Sequence, residues 1–113
     1  MGNVKEVILD CSLPNAEYAD PHILEASRDD IVKFTARNST FEVLIHNRDR
    51  FFDCEDDVLK YYINQDESQL APSINGTLAE GHKKYYSAHC LLNHDDTDQK
   101  LASPPRIIIN PGS

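Results

Sequence analysis

Tryptophan is absent from the 113 residues, methionine occurs once, glycine four times, and no long hydrophobic run interrupts the chain. Each lack closes off a class of protein. A membrane-spanning helix needs about 20 consecutive apolar residues, and the run Val7-Ile8-Leu9 is too short even for a secretory signal core. No Gly-rich phosphate loop, HExxH or GxSxG pattern occurs. Positive charge is also scarce, with 11 Lys and Arg against 19 Asp and Glu and a net charge of −8. A chain so acidic does not neutralise phosphates, which argues against nucleic-acid and anionic-membrane partners. The three cysteines, Cys11, Cys54 and Cys90, are odd in number and far apart. With no export segment in view they read as reduced thiols in a cytoplasmic protein, and the sequons at Asn38 and Asn75 carry no meaning there.

What is present is a succession of short apolar runs between turn-forming clusters. An apolar share of 40% and charged residues at 27% suit a folded chain of one domain spanning 1–113. Val4–Asp10 reads as a first strand, His22–Ala26 as a short second segment, and Ile31–Ala36 as a strand with Val32 and Phe34 on one side. Phe41–His46 alternates, with Phe41, Val43 and Ile45 on the face opposite Glu42, Leu44 and His46. Residues 51–63 leave two readings open. One is a short helix near 55–63, which acidic Asp56 and Asp57 would favour at its N-terminus; the other is a strand over Val58–Ile63. Gln69–Ile74 and Thr77–Ala79 read as short strands or loop. Lys83–Leu92 reads as one long strand with Tyr86, Ala88, Cys90 and Leu92 on one face, and Arg106–Asn110 as the last strand. About seven strands of this kind predict an all-β, two-sheet antiparallel sandwich, cupredoxin-like or immunoglobulin-like.

The segment from Pro21 to Phe34, followed by Asn38, resembles the cupredoxins: a Pro-led strand, an acidic turn at Arg28-Asp29-Asp30, a Val-x-Phe strand and an Asn. His46-Asn47 then falls near the place of the family's first copper-ligand His. Tyr86, Cys90, His94 and Gln99 follow its second motif, a Cys closing a Tyr-containing strand, then a His and an axial donor. The resemblance implies His46, Cys90, His94 and Gln99 as metal ligands, a thiolate with two imidazoles and a weak axial group being a blue-copper donor set. The departures are specific. His46 shares its strand face with Glu42 and points to solvent, the only Met is the initiator, and the connection after Cys90 is long and acidic. Asp20-Pro21 is also similar to the first motif of the uncharacterised bacterial DP-EP family, although Glu25-Ala26 lacks the second proline.

Other constellations compete for the same residues. An immunoglobulin-type bridge would join Cys11 to Cys90, but the chain has no Trp and Ala88 stands where a Tyr is expected. Asp95, Asp96 and Asp98, or Asp53, Glu55, Asp56 and Asp57, offer oxygen ligands to Ca²⁺ without the spacing or glycine of an EF-hand. Cys90 with His89 or His94 suggests a nucleophile and base, yet strand neighbours such as His89 and Cys90 point to opposite faces. The paired aromatics, Tyr61 and Tyr85 among them, suit a protein-binding patch or a homodimer face. The leading expectation is therefore a non-catalytic cytoplasmic binding or assembly module with no cofactor. The alternative is a cupredoxin-type copper electron carrier.

Overall fold

The computed structural model describes residues 2–12, 18–91, 95–96 and 105–110. Its elements are all strands: β1 (Val4–Asp10), β2 (Ala19–Asp20), β3 (Ile23–Ala26), β4 (Ile31–Arg37), β5 (Phe41–His46), β6 (Val58–Ile63), β7 (Ser68–Leu70), β8 (Lys83–Tyr85), β9 (Ser87–Cys90), β10 (Asp95–Asp96) and β11 (Arg106–Ile109). The first layer has the order β2-β1-β4-β7. The second consists of β10-β9-β5-β6 and β3-β11-β8. These two groups join because β8 and β9 are separated only by Tyr86, whose N–H turns to donate to the Pro105 carbonyl at 3.1 Å.

Alternation along each strand supplies the core. Val7 and Leu9 of β1 with Val32, Phe34 and Ala36 of β4 face Phe41, Val43 and Ile45 of β5, Ala88 and Cys90 of β9, and Ile107 and Ile109 of β11. All are buried, and Phe34 meets the Tyr86 ring edge-on across the two layers at 5.4 Å. The sandwich is mixed rather than wholly antiparallel, since β1 runs parallel to β4 and β3 parallel to β11.

Two expectations change here. Residues 58–63 form no helix; they pair antiparallel with β5 from Phe41↔Ile63 to His46↔Val58. Leu59, Tyr61 and Ile63 share the core side, a period of two that a neighbouring strand can cover and a helix cannot. Asp56 and Asp57 serve the preceding turn instead of a helix start. The Asp57 carbonyl accepts the Asn47 N–H at 2.7 Å, and the Asp57 carboxylate pairs with Arg50 at 2.9 Å. The long strand expected over Lys83–Leu92 is broken at Tyr86, its halves pairing with different partners. Of the segment Gln69–Ile74, Gln69 and Leu70 lie in strand β7, and Ile74 forms a bridge with Phe52. No strand covers 77–79.

Candidate functional site

The end of the sandwich where β1, β5 and β9 meet carries Cys90, one of the ligand candidates. Cys11 follows β1 in the first layer and Cys90 ends β9 in the second. They form a disulfide, with Cα atoms 6.2 Å apart and a sequence separation of 79. The expectation of three reduced thiols is thus corrected, and Cys54 is the free cysteine. The pair is the one weighed as an immunoglobulin-type bridge, and it forms because central strands of opposing layers finish at one end of the core.

Among the described residues near the bridge, Phe41 is apolar and Asp10 is already hydrogen-bonded. Phe41 lies directly across the sheet from Cys90 and is fully buried, with the Tyr18 ring edge-on to it at 6.3 Å. At the end of β1, Asp10 accepts hydrogen bonds from the Ser12 N–H at 2.8 Å, the Ser12 hydroxyl at 2.7 Å and the Asn38 amide at 3.1 Å. Burial alone would raise the Asp10 carboxyl, but these donors, with the Arg37 charge nearby, hold it below the ordinary value.

Of the ligand set implied by the resemblance, the structure brings none of the described members together. His46 lies five residues along β5 from Phe41, about 16 Å from the level of Cys90 at the usual strand rise. It is exposed on the opposite face. Its carbonyl, not its ring, is engaged, accepting from Lys84 Nζ at 2.8 Å. His94 and Gln99 lie outside the described residues, as do Leu92 and Asp98. With Cys90 bonded to Cys11, a donorless Phe41 opposite and His46 distant, the described residues do not fit a type of site that needs a thiolate and imidazoles on one metal. No group of three or more His, Cys, Asp or Glu capable of holding a metal occurs among the described residues. Asp53, Glu55, Asp56 and Asp57 remain on an outer turn. His89 points outward from Cys90, as the strand period requires.

The aromatic candidates divide. Tyr85 is 46% exposed on β8, beneath the Arg106 guanidinium at 5.8 Å from the ring centre. Tyr61 instead turns inward against the core, and burial, then the neighbouring Cys54 and Asp56, push its hydroxyl up. Its neighbour Tyr62 is the outward residue, 64% exposed.

Two polar assemblies had no counterpart in the sequence reading. Asn47 is completely buried, its Oδ1 accepting the Phe52 N–H at 2.9 Å and its Nδ2 donating to the carbonyls of Phe52 and Asp56 at 3.2 and 3.1 Å. It organises the whole turn from 47 to 57. Asp49 accepts from Lys84 Nζ at 2.7 Å and lies 3.2 Å from His82 Nε2, clamping that turn to β8. Burial would raise the Asp49 carboxyl, but the bonds from Lys84 and His82 outweigh it and lower the value. With 33 and 35 residues separating the partners, no local signal marks this clamp.

No protein-family profile matches the chain, and no curated protein does. Solved structures do. A Cu(I) amicyanin mutant superposes with a TM-score of 0.50 at 11% identity, covering 93% of this chain and 82% of its own. A reduced Cu(I) amicyanin mutant at pH 4 gives 0.48 and 12%, over 95% and 82%. Auracyanin B gives 0.46 and 15%, over 96% and 89%. The fold is a cupredoxin-like β-sandwich, as the Pro21–Phe34 segment implied. No helix of the described residues is long and apolar enough to cross a membrane.

Proposed function

We propose that this chain is a non-catalytic binding or assembly module on a cupredoxin-like scaffold, without a working copper centre. The observation that carries this reading is the Cys11–Cys90 bridge, which commits the sulfur a blue-copper site would need. The same bond removes Cys90 as a nucleophile, and His89 on the opposite strand face is no base for it. The disulfide also supports an oxidising compartment in place of the cytoplasm expected from the sequence, since cytosolic reductants keep thiols reduced. Recognition would fall to the outer face of the second layer, where Ile23 and Tyr85 are exposed.

The copper-carrier alternative draws on the likeness to amicyanin and is separated by one titration. Cu(II) is added to the air-oxidised protein and to the same protein after treatment with a dithiol. The expected result is one titratable thiol before reduction, from Cys54, and no intense visible thiolate-to-copper band in either form. Such a band, lost in Cys90→Ala, would overturn the proposal.

A further inference from the structure

We infer that the outer face of β3, β11 and β8 is the surface through which two copies of this chain associate; the inference rests on the assembly-module reading and names its partner. Ile107 and Ile109 of β11 point into the core, so Arg106 and Ile108 point out. The register then sets two rows across the three strands. Ile108 stands between Glu25 of β3 and Lys83 of β8, and Arg106 stands between Ile23 and Tyr85. Ile23 is 41% exposed, and Glu25 and Lys83 are both exposed.

Charge selects the occupant. The face holds one carboxylate and two cations, Glu25 against Lys83 and Arg106, in a chain whose net charge is −8. Two such chains repel each other over most approaches, but a face that carries both signs on opposite sides of Ile108 can set each charge against its opposite. The face is also complementary to itself. A two-fold axis laid along β11 sets Glu25 of each copy against Lys83 of the other, Ile23 against Tyr85, and Ile108 against Ile108. Arg106 leans over the Tyr85 ring, which carries its guanidinium off that axis and away from its symmetry mate. An acidic foreign partner would find Glu25 in its way. A patch three strands wide, at about 5 Å per strand, is small beside standard interfaces, so the association is expected to be weak and reversible.

Sedimentation equilibrium of the full oxidised chain over a concentration series tests this. Wild type should fit a reversible monomer–dimer equilibrium. Lys83→Glu and Glu25→Lys should each weaken it by about tenfold, since each converts two attractive contacts into repulsions. The double variant should restore it. Tyr62→Ser, on β6 outside the face, should leave it unchanged. A wild type that stays monomeric throughout, single swaps without effect, a double variant that fails to recover, or an equal loss from Tyr62→Ser would each overturn the inference. None of those results touches the module reading, which instead falls on the appearance of the copper band.

Discussion

Tyr86 is wholly buried, and its hydroxyl has no hydrogen-bond partner among the described residues. Its ring earns the position by packing on Phe34 and by breaking β8 from β9, while the lone hydroxyl is a cost, and burial accordingly pushes its pKa up. Tyr86→Phe removes the unsatisfied group and keeps the packing, so it should stabilise the protein by about 1 kcal/mol, read as a higher denaturant midpoint at unchanged slope. Asn47 is the contrasting case. Its amide bonds to backbone at Phe52 and Asp56 and to the Cys54 sulfur, all within the same turn, so a single buried polar side chain does the work that regular pairing does elsewhere. The role of Cys90 was legible only in part. Alternation placed it inward, and it is inward, but whether its sulfur met a metal, a proton or Cys11 depended on what the other layer delivered.

Among elements, the strands whose apolar residues alternate were readable one by one. Val4–Asp10 and Phe41–His46 fall as the pattern predicts because one face of each rests on the core. Val58–Ile63 was ambiguous because a short run of apolar and aromatic residues suits either period, and pairing with β5 decided it. The break at Tyr86 had no sequence signal, since it arises from β11 and β5 each claiming half of one ribbon. The Cys11–Cys90 bridge pins β1 to β9 and closes a loop across a sequence separation of 79. Reducing it, or replacing Cys11 by Ser, should lower stability by about 4 kcal/mol on loop-entropy grounds. Chemical denaturation with and without a dithiol measures this; a loss below about 1 kcal/mol would show that the layers hold that end without the bond.

For the molecule as a whole, acid stability follows from two carboxylates. Asp10 and Asp49 are held below the ordinary Asp value of 3.8, despite burial, by their hydrogen-bond donors. A depressed folded-state pKa means that the ionised form stabilises the fold above about 3.8 and that this contribution is lost as pH falls through the lower folded values. Denaturant midpoints should therefore drop below about pH 4, and Asp10→Asn or Asp49→Asn should lower the neutral-pH midpoint while flattening that drop.

By itself the sequence determined that this is an all-β chain, which strand faces are buried, and that its Pro21–Phe34 segment follows a cupredoxin pattern. Those features are local: they depend on the order of apolar and polar residues over a few positions, and burial on one face enforces them. Tertiary structure decided that Cys11 and Cys90, a pair the sequence offered as one option among several, do bond, that His46, already read as facing solvent, also stands at the wrong level for Cys90, and that Glu25, Ile108 and Lys83 form one row. Each joins residues from separate strands whose neighbourhood is set by strand pairing and layer stacking. Spacing along the chain carries no record of either.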